Sequence, residues 1–460
     1  MNQFKTPPDI LWQIDKCEQT QQKHLRLISY SDLELPIIPP EIFRLTHLKT
    51  LDLADNAIQV IPDEIKQLKN LKKLDLRGNP LRQVADISGL IVHYADFKKL
   101  NLPPENILGL KLTLFSYQAP EDIFDLPYLR FLDISSHRLT EIPKWVFKLS
   151  NIHSLDLSWN QLKTIEGIDK LENLDSINLS GSELYNLKGL EALENVRNIS
   201  LQAAESMSWD EFRRFKQVNS LDLSGTELKM IGELEHPENL VSLTLSGTKL
   251  QSLKGLSQFE NLSSLDLSGL ELYRNEQQIM EELTQLKNLH HLDIAGTNVQ
   301  SIEKLGQLKH LSRLDAACIG RLSLTELEQL EFLNTLDLSS NTLLNSEELG
   351  RLKNLSRLYL HGTELRDLKG FEQLKNLHTL DVSGNDLKEV EELGQLENLN
   401  ELDLSCNHLT SLPHSVFSLP KLDYLDISQN PMTESSTEQL GLSNGYVDLL
   451  KVRNDLNLSA

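Results

Sequence analysis

Aspartate is the residue this sequence repeats wherever chemistry could be done. Asp52, Asp75, Asp133, Asp156, Asp222, Asp266, Asp293, Asp315, Asp337, Asp381, Asp403 and Asp426 fill one slot of a recurring phrase, most often Leu-Asp-Leu-Ser. A row of carboxylates can bind cations, attract a basic partner, or act as acid and base. Calcium arrays of this kind carry Gly-Asp loop repeats, and none occurs here. Zinc chemistry needs patterns such as HExxH or paired CxxC, which are missing. His290 and His291 are adjacent, so an extended chain points them to opposite faces, which suits a shared site poorly. No GxxxxGK[ST] phosphate loop occurs. Carboxylates are so common that no Ser-His-Asp spacing stands out. The expectation is no catalytic residue, no metal, no cofactor and no enzymatic activity, with binding chemistry instead.

The elements that must position these aspartates recur with them. Between Leu377 and Leu387, apolar residues fall at Leu377, Leu380, Val382 and Leu387, with Asn385 between the last two. Leu380 and Val382 are two apart, so both face one side of a short strand, while Thr379, Asp381 and Ser383 face the other. Asn385 falls where the chain must turn out of the strand. Its amide can bond backbone groups that the turn leaves unpaired. The phrase opens seventeen times, from Leu48 to Leu422, mostly at steps of 22 or 23 residues, with one step of 27 and one of 36. One such unit cannot bury its leucines alone. Stacked copies can, with their strands side by side in a parallel sheet.

These residues resemble the leucine-rich repeat family, whose signature is L-x-x-L-x-L-x-x-N-x-L. The resemblance runs over nearly the whole chain. It implies an α/β solenoid curved into a horseshoe, with the parallel sheet on the concave face and short helices or 3-10 turns on the convex face. It also implies a protein partner on the concave face. Because Leu-Asp-Leu-Ser is common in the family, the acidic stripe has a structural reading beside a functional one. The mixed repeat lengths and the opening ELPIIPPEIFRLTHLKTLDL are similar to cytoplasmic bacterial members. That opening also resembles the segment ahead of Roco-type GTPase modules, but no such module follows.

Charge narrows the partner. The formal charge is −22 and the pI is near 5.0, which argues against nucleic acid and against an anionic membrane surface. No run of about 18 apolar residues exists to span a bilayer, and the first residues, MNQFKTPPDILWQ, do not read as a signal peptide. Only Cys17, Cys318 and Cys406 occur, without the cysteine clusters of disulfide-closed caps. The expectation is a protein of a reducing compartment, the cytoplasm.

Residues 1–24 read as an N-terminal helical cap, with Asp9 at its start and Ile10, Leu11, Ile14 and Cys17 on one face. Residues 25–432 read as the repeats and 433–460 as a closing cap or tail. The 36-residue step holds an insertion at 83–106, either a contact loop or a worn repeat, with Phe97–Leu102 as an alternative strand. The longer repeat, 262–288, carries a helix from Tyr273 to Leu283. Ser208 opens a capping box with Glu211, and Trp209, Phe212 and Phe215 share a helical face. In the repeat at Leu311, Ala316 replaces a core leucine and Ile319 the turn asparagine.

Two groups are candidate partner sites. The first is the acidic stripe, Asp222, Asp266, Asp293, Asp315, Asp337, Asp381 and Asp403, which would suit a basic partner. Neighbours about 5 Å apart repel by roughly 0.8 kcal/mol at water's dielectric, and by more near protein. The second comprises the departures from the stripe: Phe131, Trp159, His290, His291, Arg313, Arg357, Tyr359, His361 and His378. Tyr and Arg are favoured interface anchors. The expected function is a non-catalytic protein-protein interaction scaffold or recognition module. Alternatives are a secreted host-directed effector, or a regulatory or recognition subunit of a larger enzyme or defence complex.

Overall fold

A computed structural model describes residues 6–7, 10–11, 13–14, 17–18, 21–27, 34–112, 118–204, 208–272, 276–299 and 301–433. The chain divides into two compact units, Met1–Ser206 and Met207–Ala460. Each is a stack of coils built on a parallel ladder.

In the first unit, nine strands pair in chain order among the described residues: His24–Arg26, Thr50–Asp52, Lys73–Asp75, Leu90–His93, Ile107–Lys111, Phe131–Asp133, Ser154–Asp156, Ser176–Asn178 and Asn198–Ser200. In the second, ten do so: Ser220–Asp222, Ser242–Thr244, Ser264–Asp266, His291–Asp293, Arg313–Asp315, Thr335–Asp337, Arg357–Tyr359, Thr379–Asp381, Glu401–Asp403 and Tyr424–Asp426. Most strands are three residues long and equivalent positions pair, so apolar residues face apolar ones and, over long stretches such as Asp266 to Asp337, aspartate faces aspartate.

The core lies inside each coil. Leu377, Leu380, Val382, Leu387, Val390 and Leu393 of one coil are all buried. Each fully buried side chain of this size contributes about 1.5–3 kcal/mol relative to exposure. The chain returns through short 3-10 turns such as Glu391–Gln395, which buries Leu393. A coil of 22 residues returns in one 3-10 turn, whereas the 27-residue coil fits an α-helix, Glu276–Leu283, with Ile279, Met280 and Leu283 buried.

Turning out of the strand leaves backbone groups without ladder partners, and asparagine supplies them. Asn385 donates its Nδ2 hydrogens toward the carbonyls of Leu360, Val382 and Ser383, at 2.8–3.1 Å. Its Oδ1 accepts from the N–H groups of Thr363 and Leu365 in the preceding coil, at 2.9 and 3.0 Å. Asn79, Asn160, Asn341, Asn407 and Asn430 bond in the same manner. The coil with Ile319 at this slot is completed by its neighbour: Asn341 Oδ1 accepts from the N–H groups of Ile319 and Gly320. Elsewhere Thr226, Thr248 and Thr297 take the slot and donate one hydroxyl bond to a carbonyl three residues back.

Several local readings change in three dimensions. Residues 83–106 contain the strand Leu90–His93, paired between its neighbours in the ladder. The 36-residue step therefore holds an extra, worn coil. Phe97–Lys99 is the end of an α-helix, Tyr94–Lys99, and not a strand. Gly109 in the next strand permits close approach on both sides, because a Cβ there would lie 2.7 Å from Phe131 Cβ of the following strand and 3.1 Å from Ile91 Cγ1 of the worn coil. Ser208 Oγ accepts from the N–H of Asp210, one residue short of the expected Glu211, because the turn Trp209–Glu211 is the tighter 3-10 form. Trp209, Phe212 and Phe215 are buried, with successive ring centroids 5.8 and 6.0 Å apart. Near the start, Ile10, Ile14 and Cys17 are helical and buried and Leu11 is half-buried. Asp9, Tyr273 and residues 434–460 lie outside the described residues.

The two kinds of asparagine bond should separate in a stability measurement. Asn385→Ala strands several buried backbone groups and should cost about 2–4 kcal/mol. Asn376→Ala removes one exposed bond to the Lys353 carbonyl, 2.9 Å long, and should cost about 0.5–1 kcal/mol. Urea unfolding followed by circular dichroism compares the two.

Candidate functional site

The aspartate row does structural work before any binding. In all seven stripe residues, Asp222, Asp266, Asp293, Asp315, Asp337, Asp381 and Asp403, Oδ1 accepts from the N–H two residues on, at 2.8–3.2 Å. Where serine follows, its hydroxyl often adds a second bond to the same oxygen, as Ser383 does to Asp381 at 2.6 Å. The carboxylate thus ends the strand and starts the turn, which is why Asp recurs at this slot. The stripe residues are half-buried.

Within that pattern the electrostatics differ sharply from coil to coil. Asp266, Asp293, Asp315 and Asp337 stand side by side on adjacent strands. Burial, together with Asp315 and Asp266 and against the Ala295 N–H and Arg313, pushes the Asp293 carboxyl up to about 6. Residue 295 is alanine, so no hydroxyl relieves it. Asp315 is raised for the same first reason, burial, with Asp337 adding to it. In the first unit the outcome reverses. Burial again pushes Asp133 up, but the Ser135 hydroxyl and N–H, Lys111 and Arg77 more than offset it and hold the carboxyl below its ordinary range.

Arg77 is the centre of that contrast. Its guanidinium donates to Asp75 from Nε and Nη2, at 2.9 and 2.8 Å, and to Asp133 from Nη1 at 2.9 Å. Lys111 Nζ lies 3.5 Å from Asp133. Burial alone would lower the Arg77 pKa, but the two carboxylates hold it above its ordinary value. Beside this cluster, Lys73 Nζ sits 4.3 Å from the centroid of the half-buried Phe131 ring. Arg77 was not among the sequence candidates. Its signal is visible only in hindsight, as arginine where most repeats carry serine two residues after the aspartate.

Trp159, also in the first unit, is 58% exposed and has a positive φ of 55°. Its ring lies over Gly181, where a Cβ would meet Trp159 Cε3 at 2.4 Å. A bulky residue in the left-handed region is uncommon.

The remaining candidates share the second unit. His291, Arg313, Thr335, Arg357 and Thr379 form one row across five adjacent strands, and Asp293, Asp315, Asp337, Tyr359 and Asp381 form the next. At about 4.8 Å per strand the five strands span roughly 19 Å. Tyr359 is the single break in a run of aspartates from Asp266 to Asp426. His361 lies next to it, with Nδ1 2.9 Å from Ser383 Oγ. His290 and His378 have local roles: Nδ1–H of each donates to the carbonyl two residues back, Asn288 or Asn376, at 2.7 Å. His290 and His291 are both exposed but diverge, since the His290 ring stacks on His310 with centroids 5.9 Å apart. Among the described residues no group of three or more His, Cys, Asp or Glu is placed to hold a metal ion.

The His310 ring stacks in turn on Phe332, which is 60% exposed, at 6.2 Å. Neither residue was expected. Both occupy the slot just before an opening leucine, where Asn173, Asn195, Asn239, Asn261, Asn354, Asn376 and Asn398 each bond a carbonyl of the preceding coil. The signal was the recurring Asn-Leu pair and its replacement by ring-bearing residues in two successive coils, at His310 and Phe332.

With coils, ladder and asparagine row in view, comparison with known proteins is decisive for the family. A model of the leucine-rich repeat region matches residues 106–301 and 295–454, and a leucine-rich repeat model matches 33–81. The chain belongs to the leucine-rich repeat family. Its fold is the α/β solenoid of that family. Solved structures similar to it include an internalin from Listeria monocytogenes, 22% identical, with a TM-score of 0.55 over 64% of this chain and 86% of that one. A leucine-rich repeat protein of Leptospira interrogans is 24% identical, with a TM-score of 0.51 over 99% of both chains. The mouse RP105/MD-1 complex is 20% identical, with a TM-score of 0.51 over 89% of this chain and 83% of that one. At these identities the likeness is one of fold. No curated protein matches. The leucine-rich repeat fold is generally a protein-protein interaction module, and its members are typically non-enzymatic. Among the described residues, no helix is long and apolar enough to cross a membrane.

The raised Asp293 carboxyl predicts a pH effect whose sign can be worked out. Between the unfolded value near 3.9 and the folded value of about 6, the folded state binds more protons, so this group's contribution falls as pH rises through that window. Asp293→Asn keeps an acceptor for the Ala295 N–H. At pH 7 it should be more stable than wild type by about 1 kcal/mol after allowance for solvent screening. That gain should vanish by about pH 4. Urea midpoints of both proteins at the two pH values test this. The difference between proteins isolates Asp293 from Asp133, whose lowered pKa works in the opposite direction.

Proposed function

We propose that this leucine-rich repeat protein is a non-catalytic recognition scaffold that holds a protein partner on its sheet face, in a reducing, bacterial cytoplasm. The observation that carries the reading is the register of the second unit. Five strands bring His291, Arg313, Arg357 and Tyr359 onto one surface, with His361 and His378 beside them. Arg and Tyr offer a guanidinium and an amphipathic ring with little side-chain entropy to lose per bond formed, which is what interface anchors require. Their flanking aspartates are held by the turn, so the surface is rigid before a partner arrives, and rigidity lowers the cost of binding. Phe131 and Trp159 offer a second contact region on the first unit. The free thiols of Cys17, Cys318 and Cys406 fit a reducing compartment.

Affinity capture from source-organism lysate, with mass spectrometry, compares wild type with the Arg357→Ser, Tyr359→Ala variant at matched circular dichroism. A specific partner should be retained by wild type and lost by the variant. In purified form the variant should bind it about 30-fold more weakly, the effect of losing a hot spot worth about 2 kcal/mol. Equal capture by both proteins would remove this patch from the interface.

A further inference from the structure

A recess of about 270 Å³ opens on the sheet face of the first unit, between Lys73, Arg77, Phe131 and Asp133 on one side and Ser154, Asp156, Asp175, Ser176 and Asn178 on the other. Its origin is a change of side-chain size across three paired strands. Phe131 pairs with Ser154, and Ser154 with Ser176, so a bulky ring is followed by two small side chains. The volume lies below the roughly 300–1,000 Å³ of sites for drug-sized ligands, so the recess suits one side chain better than a cofactor.

The lining selects the charge of that side chain. The cations present are engaged: Arg77 is hydrogen-bonded to Asp75 and Asp133, and Lys73 rests over the Phe131 ring. Asp156 binds the turn through Oδ1 and accepts from Asn178 Nδ2 through Oδ2, at 3.2 Å. The side chains of Asp175, Ser154 and Ser176 make no hydrogen bond among the described residues, and all three are half-buried. Three lining carboxylates, Asp133, Asp156 and Asp175, face two lining cations, Lys73 and Arg77. The charge left over is negative. Burial pushes the Asp175 carboxyl up against the pull of His153 and Arg197, as expected of a carboxylate lacking a close donor.

We propose that this recess is an anchor pocket for a single arginine side chain of a protein partner, bonded by Asp175, Ser154 and Ser176 and packed on Phe131. A guanidinium presents five donors in a plane, which matches a carboxylate and two hydroxyls beside an aromatic wall. Lysine offers a compact ammonium that stacks less well on a ring. The pocket rests on the reading of the sheet face as a binding surface, but on a different unit from the Arg357–Tyr359 patch.

The test uses the full chain and three probes, acetyl-Gly-Arg-Gly-amide and its lysine and glutamate counterparts, with binding read by ligand-observed NMR titration. The arginine peptide should bind, the lysine peptide more weakly and the glutamate peptide not at all. Asp175→Asn, which preserves shape, and Phe131→Ala should each weaken arginine binding by about fivefold to tenfold. The Arg357→Ser, Tyr359→Ala protein should bind the arginine peptide as wild type does, which separates this pocket from the second-unit patch. Arginine binding unaffected by Asp175→Asn would overturn the proposal. So would preferential binding of the glutamate peptide with loss in Lys73→Ala, or no binding by any peptide.

Discussion

The structure depends on the backbone groups that each coil exposes when it leaves its strand. Three-residue strands give the parallel ladder few hydrogen bonds, and the turns that follow would leave buried N–H and C=O groups without partners, each at a cost of about 1–3 kcal/mol. Two side chains answer that demand. Aspartate closes the strand by accepting the N–H two residues on. Asparagine then bonds carbonyls of its own coil and N–H groups of the one before. Because the asparagine bonds link neighbouring coils, each coil is completed by the next, and a lone repeat could not satisfy its own turn.

This dependence explains where the chain tolerates change. The coil with Ile319 at the asparagine slot survives because Asn341 reaches back to it. Ala316 fills a core position otherwise held by a larger apolar residue and remains buried. Threonine replaces asparagine in several coils of the second unit with a single hydroxyl bond, while the second row of asparagines, ahead of the opening leucines, ties the outer edge. On the sheet face there is no such constraint on the first residue of each strand. Serine, histidine, arginine, threonine, glutamate and tyrosine all occur there. Variation concentrates where folding makes no demand, and that is where recognition has room to evolve.

The electrostatics follow from the same geometry. Register places equivalent carboxylates on adjacent strands, so any charge a repeat carries is multiplied by stacking. Where the Ser135 hydroxyl, Arg77 and Lys111 surround it, Asp133 is held below the ordinary carboxylate range. Where alanine follows and aspartates flank on both sides, Asp293 is held near the edge of protonation. Identical residue types in identical slots therefore behave differently because of what the neighbouring coil provides.

Period and spacing alone were enough to establish the fold. A leucine pattern repeating every 22 or 23 residues admits one way to bury itself, by stacking, and the two-residue alternation sets which side chains face inward. The role of Asn385 was legible for the same reason. The inward-facing core and the outward-facing rows that carry His291, Arg313, Arg357 and Tyr359 were both readable as faces. Three matters needed the tertiary structure. The worn coil around Leu90–His93 has lost the spacing signal, and only pairing between its neighbours reveals it. The Arg77–Asp133 bond joins residues 56 apart in sequence, across coils whose register the irregular step conceals. The recess beside Phe131 and the His290–His310–Phe332 stack arise from side chains on successive coils. Sequence determines what each coil presents. Stacking decides which presentations meet, because contacts between coils depend on strand register and side-chain size together.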